Sequence, residues 1–265
     1  VTGSNAYGQL GIPAVAGSVN GFVKVPDVLD KDGKKVRFAA VSAGKEFSLA
    51  LAEDGTVYVW GRNNSGQLGL GHTDNVSVPT LMSLRSVAAI SAGYEHSLFL
   101  ARNGLVYAAG DNNYNRLGIG SAGITSTPTP VRLGGDPSDI SSDHDETTVA
   151  ISAGKDHSLA LTFYGYVYGW GSNANGQLAM PADVRTSGPA RLENAVSDNG
   201  IVAVSAGYDH SLALNLKGEV YAWGGNQQGQ LGLGNSNSSP VVRVGTENAT
   251  YLSDAGTIIY NIDAG

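Results

Sequence analysis

Three histidines stand at one position of a recurring phrase, and histidine is the side chain that most readily moves protons near neutral pH. His96, His157 and His210 each follow S-A-G by two residues, in SAGYEHSLFLARNGLVYAAGDNNYNRLGIG (91–120), SAGKDHSLALTFYGYVYGWGSNANGQLAM (152–180) and SAGYDHSLALNLKGEVYAWGGNQQGQLGLG (205–234). A further copy, SAGKEFSLALAEDGTVYVWGRNNSGQLGLG (42–71), carries Phe47 there. A catalytic base or metal ligand is not exchangeable with phenylalanine, so these histidines read as buried side chains bonded to backbone near a sheet edge. Trp60, Trp170 and Trp223 also share a slot, filled by Ala109 and Thr2 in other copies, which points to packing within and between repeats.

Other reactive residue types lie between the copies. The insertion GGDPSDISSDHDETT (134–148) holds Asp136, Asp139, Asp143, His144, Asp145 and Glu146, oxygen-rich enough to suggest calcium. Its spacing is not that of an EF-hand loop, so it reads as a solvated loop, with Asp143, Asp145 and Glu146 as weak metal candidates. Cysteine is absent, which excludes disulfides, thiolate metal sites and cysteine nucleophiles. There is no GxSxG elbow, no HExxH pair and no GxxxxGK[ST] phosphate loop. The expectation is a chain without catalytic residues or cofactor, hence not an enzyme.

Candidates for interaction are few. KDGKKVR (31–37) reads as a hairpin with Asp-Gly at its turn, and Lys34 and Lys35 are its projecting charges. Tyr7, Tyr94, Tyr114 and Tyr208 suit a binding patch, because tyrosine is favoured at interface hot spots. Tyr94 and Tyr208 share a slot that Lys45 and Lys155 occupy in the other copies, which argues against a broad aromatic face. A net charge of −7 without a basic stripe speaks against nucleic acid as partner. The apolar runs are short and broken by glycine, so none spans a bilayer. Sequons at Asn63, Asn75, Asn237 and Asn248 follow from Asn/Ser-rich loops. Acidity, absent cysteine and such loops together favour an extracellular, cell-surface or virion setting.

The elements that position these residues are short strands. AAVSAG, FSLALA, TVYVWG and VSVPTLMSL are four such runs in one repeat, and glycine, 37 residues in 265, punctuates them. The first glycine of G-Q-L-G, or its equivalent, falls at Gly8, Gly66, Asn115, Gly176 and Gly229, spaced 58, 49, 61 and 53 residues apart. A period of about 50 residues denotes a propeller or array of small sheets, none of which buries its faces alone. The back halves of the repeat lie at 1–11, 56–71, 105–120, 166–180 and 219–234. Gly44, Gly93, Gly154 and Gly207 of S-A-G, like the glycines of G-Q-L-G, serve tight turns and close approach between units.

The string S-A-G-x-x-H-S-L-A-L…G-x-V-Y-x-W-G-x-N-x-x-G-Q-L-G-x-G resembles the repeat of the regulator of chromosome condensation family and covers nearly the whole chain. The resemblance implies an all-β propeller with four-stranded antiparallel blades, most often seven. Five repeats over 1–265 predict a single five-repeat propeller domain, closed by the first and last strands if Asp263-Ala264-Gly265 matches the turn before VYVWG. The alternative is a segment of a seven-bladed propeller of roughly 370 residues. The expected function is a non-enzymatic binding or structural propeller, engaging a protein partner or a glycan through inter-repeat loops, with higher-order assembly as a possibility to test. The resemblance also implies two alternatives, a guanine nucleotide exchange factor-like regulator of a small GTPase and a proteinaceous enzyme inhibitor.

Overall fold

The computed structural model describes residues 1–12, 17–133, 147–181, 188–192, 200–234, 239–244 and 261–264. Strands β1 (Gly3–Ser4) and β2 (Ser18–Val19) form a two-stranded sheet. Four four-stranded antiparallel sheets follow. The first holds β3 (Phe38–Ala43), β4 (Phe47–Ala52), β5 (Val57–Gly61) and β6 (Val76–Leu81). The second holds β7 (Val87–Ala92), β8 (His96–Ala101), β9 (Val106–Asp111) and β10 (Ile124–Val131). The third holds β11 (Thr148–Ala153), β12 (His157–Thr162), β13 (Val167–Gly171) and β14 (Ala190–Arg191). The fourth holds β15 (Ile201–Ala206), β16 (His210–Asn215), β17 (Val220–Gly224) and β18 (Ser239–Arg243). In each sheet the strands pair in chain order, as the blade of a propeller requires.

The sequence explains the layering. The second and third strands are near-continuous apolar runs such as FSLALA and VYVWG, and both faces of β4, β5, β8, β12 and β13 are buried. The first and fourth strands are more exposed and more polar. Each first strand enters through the same irregularity of register, at Phe38/Ala40, Val87/Ala89, Thr148/Ala150 and Ile201/Ala203, so the bulge belongs to the repeat.

The described contacts divide the chain into two compact units, residues 1–112 with 122–130, and residues 113–121 with 131–265. The first unit has a core around Phe47, Leu49, Val59, Leu68, Met82 and Phe99. The second has one around Leu159, Leu161, Leu178, Leu192, Ala213 and Trp223.

The tail lies at a different register from the one expected. The Ala264 N–H donates to Ser205 Oγ at 2.8 Å. That bond repeats Ala206 N–H to Ser152 Oγ at 2.9 Å and Ala92 N–H to Ser42 Oγ at 3.0 Å. Ala264 therefore occupies the alanine slot of S-A-G, not the hairpin turn before the tryptophan strand. The local D-A-G spelling fits both slots, and the cross-sheet bond chooses between them.

Candidate functional site

At one end of every blade, the loop between its first two strands meets the segment leaving its third strand. In each S-A-G loop the glycine N–H closes on the carbonyl three residues later, from Gly44 to Phe47, Gly93 to His96, Gly154 to His157 and Gly207 to His210, at 2.8–2.9 Å. Three of these glycines are needed for space rather than for a turn. A Cβ on Gly154 would lie 2.5 Å from the Gly207 carbonyl and 2.8 Å from His157 Nδ1, and one on Gly207 would lie 2.7 Å from His210 Nδ1. At Gly44 the obstructing ring is Phe47, and the Gly93 carbonyl is 2.7 Å away.

The departing segment N-x-x-G-Q-L is held by its own amides. Asn5, Asn63, Asn173 and Asn226 accept, through Oδ1, from the N–H of Leu10, Leu68, Leu178 and Leu231, each at 2.9 Å. The glutamines Gln9, Gln67, Gln177 and Gln230 accept through Oε1 from the N–H two residues earlier. This fixes the glutamine carbonyl, which becomes a shared acceptor. Gln9 O receives Ser48 Oγ and Trp60 Nε1, each at 2.8 Å. Gln177 O receives Ser211 Oγ at 2.9 Å and Trp223 Nε1 at 2.8 Å. Arg116 O takes the same role for Ser158 Oγ and Trp170 Nε1, at 2.8 and 2.9 Å. In the second sheet, where Ala109 fills the tryptophan slot, Gln67 O receives Ser97 Oγ at 2.6 Å.

The histidines sit inside these seams. His157 is fully buried, and its Nε2 lies 2.9 Å from Ser211 Oγ, a hydroxyl in place of the expected backbone partner. Ser211 spends its proton on Gln177 O, so His157 Nε2 carries the hydrogen and donates. The Nδ1 atoms of His157 and His210 are buried with no hydrogen-bond partner among the described residues. Burial, with His210 nearby, pushes His157 down to about 3. Burial also lowers His210. Both rings are neutral at pH 7, and neither opens onto a site where a substrate would meet it.

The same loops carry, in each unit, a candidate interaction patch. Lys45 Nζ stands 4.2 Å from the ring centre of Tyr94, and Lys155 Nζ 4.3 Å from that of Tyr208. These are cation–π pairs between successive repeats. A hydrogen bond to Tyr94 is the main cause that holds Lys45 above the usual lysine range, and Tyr208 does the same for Lys155. Beside the first pair, Arg62 reaches Glu46 at 2.8 Å and Glu95 at 3.4 Å, and stacks 5.5 Å from Tyr7. Beside the second, the nearly buried Arg116 meets Asp156 at 3.1 Å and lies 5.7 Å from Tyr114. Tyr208 and Tyr114 remain 55% and 65% exposed, so contact area is open to a partner.

Within each unit the alternation pairs a lysine with the tyrosine of the next repeat. Lys, Tyr, Lys and Tyr follow each other in repeat order at positions 45, 94, 155 and 208, and each lysine lies over the next tyrosine. Repeat order was the available signal. Arg62, Arg116, Glu46 and Glu95 went unnoticed because they join the cluster only across the two loops.

Lys34 and Lys35 lie elsewhere, on a hairpin bridged between Leu29 and Lys35, with Gly33 in the left-handed region at φ +76°. Lys35 is paired with Asp27 at 2.9 Å, and Lys34 is exposed. Asp143, Asp145 and Glu146 lie outside the described residues, as do Asp136, Asp139 and His144. Among the described residues no three His, Asp or Glu side chains stand together as a metal would need. No helix among them is long and apolar enough to cross a membrane.

The profile described as the regulator of chromosome condensation (RCC1) repeat matches residues 54–100, 103–161, 164–214 and 217–250. A second profile of the same description matches 38–67, 87–116, 149–177 and 201–230. The chain therefore belongs to the RCC1 repeat family. It is 32% identical to the ultraviolet-B receptor UVR8 of Arabidopsis thaliana, over 88% of this chain and 50% of the relative. It is 40% identical to the human "Probable E3 ubiquitin-protein ligase HERC3", over 93% of this chain and 23% of the relative. It is also 29% identical to the secretion-regulating guanine nucleotide exchange factor of Bos taurus, over 87% and 37%. The chain thus spans half or less of the length of these relatives. Among solved structures, human WBSCR16 superposes with TM-score 0.78 at 23% identity, covering 93% of this chain and 62% of that one. Yeast RCC1 (Prp20), solved with Kap60 bound, gives 0.67 at 24%, covering 81% and 50%.

Proposed function

We propose that the chain is a non-enzymatic, protein-binding propeller whose partner docks on the loops that carry the cation–π pairs, Lys45–Tyr94 in one unit and Lys155–Tyr208 in the other. The observation that carries this reading is the recurrence of one cation–π pair in both units, with exposed tyrosine beside fixed charges. Rigid aromatic and basic side chains on loops of a rigid scaffold are the usual anchors of protein interfaces. The neutral, buried histidines and the absence of any catalytic motif support a binding role without chemistry. The acidic, cysteine-free composition supports an exported or surface setting, and the Asn/Ser-rich loops leave a glycan or a larger assembly as further partners to test.

The test is affinity capture on the 265-residue chain beside its Tyr94→Ala/Tyr208→Ala variant, with crosslinking of the captured protein. Crosslinks at Lys45 or Lys155, and capture lost in the variant, are the expected result. Equal capture by both chains would remove these loops from the interface.

The exchange-factor relative favours a second reading, catalysed nucleotide release from a small GTPase. Release of fluorescent GDP from a panel of small GTPases, with and without the chain, decides it. Acceleration that survives loss of both tyrosines would place exchange on another surface.

A further inference from the structure

At the far end of β8 from the Tyr94 loop, a cavity of about 470 Å³ is lined by Leu84, Arg85, Ser86, Arg102, Asn103 and Tyr107. Ser86 is left-handed at φ +58°, a conformation that a non-glycine residue adopts at a cost. Gly200 holds the same repeat position in the fourth sheet, at φ +57°, whereas Arg37 and Thr147 hold it in the first and third sheets without a left-handed φ. The strained residue is pinned on both sides: Arg102 N–H donates to Ser86 O at 2.8 Å, and Val87 N–H donates to Gly55 O at 3.0 Å.

Two arginines, both exposed, line this cavity. Arg85 Nη1 donates to Leu84 O at 3.1 Å and to Met82 O, which fixes the group and leaves its other nitrogens unengaged among the described residues. The guanidinium of Arg102 makes no hydrogen bond or ion pair with the described residues. The neighbouring carboxylate, Asp54, accepts the Thr56 N–H at 2.9 Å and its hydroxyl at 2.7 Å through one oxygen, and Arg85 acts on it electrostatically as the weakest of the causes that hold it below the usual carboxylate range. The pair belongs to the second repeat alone, because the aligned positions are Val36, Glu146 and Asn199 for Arg85, and Glu53, Phe163 and Leu216 for Arg102.

We infer that this cavity receives a carboxylate side chain from an acidic segment of a protein partner. Planar guanidinium forks match carboxylate oxygens two by two, and the Ser86 hydroxyl, Asn103 amide and Tyr107 phenol add neutral donors. Leu84 and Ala101 give apolar wall for the methylenes of an aspartate or glutamate. On a chain of net charge −7 the two arginines make a local reversal of sign that suits an acidic peptide. The site is separate from the tyrosine loops and stands without them.

The test is fluorescence anisotropy of a dye-labelled hexaglutamate peptide on the full 265-residue chain at low salt. Saturable binding is expected, weakened at least about tenfold by Arg85→Ala/Arg102→Ala and partly restored by the double lysine variant. Arg102→Ala alone weakens it without removing any bond of the fold, and thermal melting checks that each variant is folded. Tyr94→Ala/Tyr208→Ala leaves it unchanged, which separates this site from the tyrosine loops. Equal binding of hexaglutamine, or of the double alanine variant, would overturn the inference. Displacement by inorganic phosphate as effective as by unlabelled peptide would also overturn it, in favour of a site for free oxyanions.

Discussion

The seam between the first and second sheets and the seam between the third and fourth are built to one plan with different middles. Both place a serine hydroxyl under the next sheet's alanine N–H, a serine Oγ on a glutamine carbonyl, and a lysine over a tyrosine. In the first unit the space between these bonds is filled by Phe47, with Ala109 in the tryptophan slot. In the second it is filled by a polar relay from His157 through Ser211 to Gln177 O, which Trp223 also serves. One backbone frame thus accepts an apolar or a hydrogen-bonded middle, provided that each is complete. The polar middle makes its seam sensitive to acid, and the apolar middle does not.

The comparison breaks most severely at Trp223. Trp223→Ala removes a fully buried indole and one donor to Gln177 O, and urea unfolding should show a loss of about 3–5 kcal/mol. Next, Gly154→Ala and Gly207→Ala each force a methyl into a carbonyl or an imidazole, for a loss of about 1–3 kcal/mol by the same measurement. A cost near zero would mean that the two strands separate easily.

His157→Phe sharpens the comparison by giving the second seam the first one's residue. His157 stays neutral in the folded chain down to about 3, while the unfolded chain takes up a proton near 6.5. As pH falls through that window the unfolded state binds more protons, so stability falls by about 1.4 kcal/mol per pH unit from this group. The contribution is intact above pH 6.5. His157→Phe should flatten the decline between pH 6.5 and 3, read from urea midpoints at several pH values, and an unchanged slope would show that His157 is not its source. The smallest effect lies at Ala179, left-handed at φ +53° where Gly11, Gly69, Gly118 and Gly232 stand in the other repeats. Ala179→Gly should raise stability by about 1 kcal/mol.

Much of the frame was legible in the repeat. Strand runs such as FSLALA and VYVWG lie where they were read, because an apolar run bounded by glycine has few other uses. Ala264 lies in a different slot from the one its sequence suggests, because D-A-G resembles two places in the phrase and only the bond to Ser205 separates them. The backbone partner expected for the histidines became, at His157, the Ser211 hydroxyl, which lies 54 residues away and in the next sheet. The Lys–Tyr pairs were spelled out one residue per repeat and were legible only to a reading that joined neighbouring repeats.

What the sequence determined by itself is the unit: glycine, apolar run and amide-locked turn are local devices, and each acts within a few residues of itself. Tertiary structure decided what meets across units. The glutamine carbonyl that takes a serine and a tryptophan, the lysine over a tyrosine and the two arginines over one cavity all join residues from separate strands or separate repeats. Their partners are set by how one sheet packs on the next, and side chains on such seams interact over a few ångströms of space whatever their distance along the chain.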